Sequence, residues 1–149
     1  MLKIFVVDDS LIMRRNITKM IESLGHIVVG EAKDGHEAIA LYRKLAPDLV
    51  TMDITMPEMD GLSAVKELKK IDKEAKIIMV TSHGQEEMVI DAIRSGASGY
   101  LLKPINITKL RDSIRKVFPH IIDETVLAQK ETLLLESEEI LLPEIEDIS

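Results

Sequence analysis

The chain has 149 residues, 46% hydrophobic and only 3% aromatic, enough for one compact domain with an aliphatic core plus a short extension, and too few for two ordinary domains. It contains no cysteine, which excludes disulfides, cysteine zinc sites and thiol nucleophiles. The net charge of −7 is carried by residues 120–149, with nine acids and one base, while residues 1–119 are net +1; neither part has the concentrated basic face of a nucleic-acid binder.

The chain opens Met-Leu-Lys-Ile-Phe-Val-Val-Asp-Asp. It shows no basic leader and no small-residue cleavage site, so no signal peptide is expected. No apolar stretch approaches bilayer length. A cytoplasmic location without membrane insertion is the expectation.

Apolar runs then alternate with helical patterns. Lys3–Val7 reads as a strand. Ser10 stands at an N-cap position, with Leu11, Ile17, Met20, Ile21 and Leu24 at helical spacing and Gly25 closing the helix. Ile27–Gly30 reads as the second strand and Asp34-Gly35 as a turn. Ala38, Ile39, Tyr42 and Leu45 mark a second helix, stopped by Pro47. Leu49–Asp53 is the third strand. After a loop holding Pro57 and Gly61, a third helix carries Leu62, Val65, Leu68 and Ile71. Lys76–Val80 is the fourth strand, and Met88, Val89, Ala92 and Ile93 mark a fourth helix, ended by Gly96. Gly99–Leu102 is the fifth strand; Leu110, Ile114 and Val117 mark the last helix, ended near Pro119.

Five strands alternating with five helices predict an α/β fold, a doubly wound parallel sheet with helices on both faces. Ligands in such sheets bind at the carboxyl ends of the strands. Four strand ends carry a coherent set: Asp8 and Asp9 after the first, Asp53 after the third, Thr81 and Ser82 after the fourth, Lys103-Pro104 after the fifth. Parallel strands would place them on one edge. Three crowded carboxylates repel one another unless a cation sits between them. Oxygen ligands without His or Cys point to a hard ion, Mg²⁺ first. Lys103 adds a movable charge for a phosphoryl oxygen, and Thr81 a hydroxyl donor. A carboxylate nucleophile receiving phosphate needs this set, because phosphoryl transfer is mostly positioning and charge neutralisation. Taken singly, each residue has a plainer reading. An Asp pair could cap a helix, Asp53 and Thr81 could be loop or cap residues, and Lys103 a solvated lysine.

Val6-Val-Asp-Asp-Ser10, Asp53-Ile-Thr-Met-Pro-Glu-Met-Asp-Gly61, Val80-Thr-Ser82 and Gly96-Ala-Ser-Gly-Tyr-Leu-Leu-Lys-Pro104 occur in that order. Together they resemble the receiver domains of two-component response regulators over residues 1–118. The resemblance implies a flavodoxin-like strand order, 2-1-3-4-5, and a phosphoacceptor signalling protein that catalyses only its own phosphorylation and slow autodephosphorylation. It implies Asp53 as phosphoacceptor, with a phosphoryl group coming from a histidine kinase or histidine phosphotransfer protein. Mg²⁺ would be held by Asp9, Asp53 and the backbone carbonyl of Thr55, with Asp8 acting through a water. Thr81 and Lys103 would meet the phosphoryl oxygens, and Thr81 and Tyr100 would switch a face built from the fourth helix, fifth strand and fifth helix toward a downstream target. The Lys103–Pro104 peptide would be cis.

Met13-Arg14-Arg15 and the Gly-Ala-Ser-Gly-Tyr run resemble the stand-alone chemotaxis type. Arg14 and Arg15 otherwise read as a solvated helix face, and His83 as an exposed loop residue. The domain expectation is a receiver over 1–119 and an acidic, apolar extension over 120–149. Its spaced Leu and Ile residues would dock on its own domain, on a second copy or on another protein, or the segment would fray. Two other classes use similar parts. A haloacid-dehalogenase-like phosphohydrolase would need an acid where Thr55 stands and its nucleophile after the first strand. A flavodoxin-like flavin module would need a hydroxyl-rich phosphate loop where Asp8-Asp9 stands.

Overall fold

The computed structural model describes residues 1–82, 84 and 86–121. Ten elements alternate through them: β1 (Lys3–Val7), α1 (Leu11–Ser23), β2 (Ile27–Ala32), α2 (Gly35–Leu45), β3 (Leu49–Met52), α3 (Gly61–Ile71), β4 (Ile77–Thr81), α4 (Glu86–Ser95), β5 (Gly99–Leu102) and α5 (Ile107–Val117). The strands form one parallel sheet in the order β2-β1-β3-β4-β5. This is the expected doubly wound, flavodoxin-like α/β fold.

Strand side chains alternate between two cores. Phe5, Val7, Val50, Met52, Ile77 and Met79 meet Ala38 and Tyr42 of α2, Ala64, Val65 and Leu68 of α3, and Ala92 of α4 on one face. Ile4, Val6, Leu49, Ile78 and Val80 meet Ile17 and Ile21 of α1 and Leu110 and Ile114 of α5 on the other. Burying each large aliphatic side chain is worth about 1.5–3 kcal/mol, so two mainly aliphatic cores, with Phe5 and Tyr42 as aromatic members of the first, can hold the sheet. Four helices, α1, α2, α3 and α5, start at side-chain caps: Ser10, Asp34, Asp60 and Asn106 each accept a backbone N–H three residues on.

Several boundaries differ from the sequence reading. The turn expected at Asp34-Gly35 is a helix start, with Asp34 the cap and Gly35 the first residue of α2. β2 runs two residues past Gly30, because Glu31 and Ala32 keep pairing with Val6 and Val7. β3 ends at Met52, one residue before Asp53, and β4 takes in Thr81. α2 ends on Ala46 in the left-handed region, directly before Pro47. Among the described residues no helix is long and apolar enough to cross a membrane. Ile121 packs against the α1–α5 core; the docking reading of the rest of the extension, 122–149, lies outside the described residues, as does that of His83.

Candidate functional site

Main-chain pairing continues past the strand ends and aligns the residues that follow them. The Asp53 N–H donates to the Val7 carbonyl (3.0 Å), the Asp8 N–H to the Ala32 carbonyl (3.0 Å), and the Lys103 N–H to the Thr81 carbonyl (2.7 Å). Asp8, Asp53, Thr81 and Lys103 are therefore set at one edge of the sheet by the ladder itself. Ile54 and Met56, both buried in the core, anchor the loop that leaves Asp53. Gly61 starts α3 against that loop. Its N–H donates to the Ile54 carbonyl (2.7 Å), and a side chain there would collide with the Asp53 carbonyl oxygen and stand 2.8 Å from the Ile54 Cα.

The structure brings the carboxylates of Asp8, Asp9 and Asp53 together, with one oxygen of each within 4.8 Å of the others. Asp8 and Asp53 are buried and Asp9 is exposed. The Lys103 ammonium lies 2.9 Å from Asp8 Oδ2 and 3.6 Å from Asp53 Oδ2, with its side chain only 16% exposed. That overrides the solvated-lysine reading. Capping does not explain Asp8 either: Ser10 Oγ caps α1, while Asp8 Oδ1 accepts the Ser10 N–H (2.9 Å). Burial pushes the Asp53 carboxyl up from 3.8 to about 6. The Lys103 ammonium and the Thr55 backbone N–H pull it down, and the Asp8 and Asp9 charges push it up.

Thr81 is fully buried at the end of β4. Tyr100, half-buried, stands on the neighbouring strand opposite Met79 and packs against the α2–α3–α4 core. Thr55 is exposed, and its backbone N–H bonds the Asp53 carboxylate. Lys103–Pro104 is cis, as expected. Beside Lys103 a groove of about 410 Å³ opens between α1 and the β5–α5 loop, lined by Met13, Asn16, Met20, Ser82, Pro104 and Ile105.

One residue was misread. Arg14 is no solvated helix residue: its side chain is 15% exposed and it bonds the Asp8 carbonyl and Glu31. Its neighbour Arg15 is exposed, as expected. The contact of Gly61 with Asp53 was also not foreseen. A glycine opening a helix after a strand-end loop is its only sequence signal.

A parallel sheet of this order, with an acidic pocket and a lysine at the carboxyl ends of its strands, defines a receiver-type signalling module. The family model for the response regulator receiver domain matches residues 4–115, and the chain belongs to that family. The chemotaxis protein CheY of Thermotoga maritima is 45% identical over 115 residues, covering 77% of this chain and 96% of that protein. CheY of Bacillus subtilis is 47% identical over 114 residues, covering 76% and 95%. Among solved structures, the CheX–CheY–BeF3–Mg complex of Borrelia burgdorferi aligns with a TM-score of 0.76 at 34% identity, over 78% of this chain and 88% of that one. The similarity is thus to the chemotaxis type, and the module is a two-component signalling protein, not a classical enzyme. The phosphohydrolase and flavin-module readings fall with this assignment.

Proposed function

We propose that this chain is a phosphorylation switch whose Asp53 accepts a phosphoryl group from a histidine kinase or histidine phosphotransfer protein in the cytoplasm. The observation that carries the reading is the Lys103 ammonium set between Asp8 and Asp53 at the edge where three carboxylates converge. Receiver domains bind Mg²⁺ at an acidic pocket. The donor set fits that ion: all ligands are hard oxygens, and three carboxylates crowd one buried place where burial already raises the Asp53 carboxyl. Asp8, Asp9, Asp53 and the Thr55 backbone would hold it. When bound, the ion supplies positive charge against the phosphoryl oxygens.

The chain's own residues do the rest. A carboxylate oxygen of Asp53 attacks phosphorus, an O–P bond forms, and the P–N bond of the donor phosphohistidine breaks. The electron pair and a proton go to the departing imidazole. The groove beside Lys103 gives that donor an approach. Lys103 exchanges part of its carboxylate contact for a phosphoryl oxygen, and the Thr81 hydroxyl turns to another. Thr81 then vacates space behind it for Tyr100. The change biases an existing equilibrium of the α4–β5–α5 face toward a downstream target. Exposed Ile90, Ile93 and Leu102 lie on those elements and offer apolar contact. The receiver unit is residues 1–119.

The test is incubation with acetyl phosphate and Mg²⁺ followed by intact mass. Wild type gains one phosphoryl group, and Asp53→Asn gains none. Unchanged labelling of the variant at the same site refutes the assignment. Amide shifts on phosphorylation should reach the α4–β5–α5 face; changes confined to the pocket would count against the switch.

A further inference from the structure

Asp9 is exposed, so its side chain gains little orientation from packing. The peptide that precedes it is held firmly. Arg14 stands one turn into α1, with Nη1 donating to the Asp8 carbonyl oxygen (2.7 Å) and Nε donating to Glu31 Oε1 on β2 (3.1 Å). The Asp8 N–H pairs with the Ala32 carbonyl next to Glu31, and the two Asp8 carboxylate oxygens take the Ser10 N–H and the Lys103 ammonium. Every polar atom of Asp8 is engaged. The carbonyl that Arg14 holds belongs to the peptide plane joining Asp8 to Asp9, and that plane sets the N–Cα axis from which the Asp9 side chain departs, leaving only Asp9's own torsions to turn it.

We propose that Arg14, braced by Glu31, is a positioning residue for divalent-cation binding: it locks the Asp8–Asp9 peptide plane and so aims the Asp9 carboxylate into the pocket. The proposal rests on reading the acidic pocket as a cation site. A guanidinium suits the task because its planar fork serves two acceptors at once, whereas an ammonium is a point donor on a flexible stem.

Charge gives the test its sign. Arg14 is a permanent cation near three carboxylates, so on Coulomb grounds alone its removal would make the pocket more attractive to a cation. Loss of a positioning contact acts the other way, because outer-shell partners typically contribute about 10–100-fold to metal affinity. The experiment is a Mg²⁺ titration of the full chain, followed by amide chemical shifts, without any phosphoryl donor. Arg14→Met keeps the apolar stem and removes charge and donors. Arg14→Lys keeps charge and stem. Arg15→Ala removes an equal charge from an exposed neighbour.

Binding should weaken about tenfold or more in Arg14→Met, less in Arg14→Lys, and stay equal or tighten in Arg15→Ala. Wild-type or tighter affinity in folded Arg14→Met overturns the proposal. Should that variant not fold, wild-type affinity in Arg14→Lys overturns it alone. A wild-type chain that binds no Mg²⁺ overturns the cation reading itself and the proposal with it, so the two failures are told apart by the wild-type titration.

Discussion

Replacing Asp53 with asparagine should stabilise the cation-free protein at neutral pH. Asp53 is buried among like charges, and its carboxyl rises from 3.8 to about 6. A folded-state value above the unfolded one means that the folded chain binds the proton more tightly. The stability this contributes is fully present below about pH 4 and is lost as pH rises through about 6. The rise from 3.8 to about 6 is worth roughly 3 kcal/mol at most. Asparagine carries no charge and escapes the loss. The variant should match wild type in acid and exceed it by up to roughly 3 kcal/mol above pH 6, or roughly 6–10 °C in Tm for a chain of this size. Far-ultraviolet circular dichroism melts in chelator, from about pH 4 to about pH 8, measure it. Added Mg²⁺ should raise the wild type more than the variant and narrow the gap, because a ligand stabilises the state that binds it. Equal stabilities across the range, or a gap that widens toward acid, would refute the reasoning.

Gly61→Ala should cost on the order of 2–3 kcal/mol in urea melts, because the new methyl meets the Asp53 carbonyl and the Ile54 Cα; acetyl phosphate labelling should fall with it as the loop shifts. Tyr42→Phe should lose about 1 kcal/mol, since the Tyr42 hydroxyl donates to Asp72 Oδ2 at 2.7 Å, and should leave labelling unchanged, which separates a structural contact from the pocket. Lys103→Met should tighten Mg²⁺ while slowing labelling, because it removes a cation that lies on Asp8 and Asp53; calorimetry and intact mass would read opposite signs.

The α/β alternation was legible because each buried strand is a short apolar run between helical periods. β1 and β5 came out with the expected bounds. The extra pairing of β2 was not legible: Glu31 and Ala32 join the sheet through their backbones, and main-chain pairing leaves no side-chain signature. The Asp34 cap looked like a turn because Asp-Gly serves both, and only the following helix decides. The site was legible for a topological reason. Asp8 and Lys103 are 95 positions apart, and only parallel strands bring both to one edge. The contact of Arg14 was hidden for the opposite reason. Helical periodicity tells which face a residue starts from, and says nothing of a long side chain that reaches back to a carbonyl.

The same pocket predicts a competition between proton and cation. Asp8, Asp9 and Asp53 against Lys103 leave a formal charge of −2, and the charge of Arg14 is matched by Glu31. A divalent ion would neutralise that excess. Without one, burial first and the Asp8 and Asp9 charges after it keep a proton on Asp53 up to about pH 6, which also relieves part of that excess. Cation binding must then displace this proton in acid and displaces nothing above the transition. Mg²⁺ affinity should fall by about tenfold per pH unit below 6 and level off above it. In Asp53→Asn the weaker affinity that remains should lose this step. Titrations at a series of pH values, with proton release read from calorimetry in buffers of different ionisation enthalpy, give both quantities. An affinity that stays flat through the transition, with no proton released below it, would mean that Asp53 is not among the groups that meet the ion.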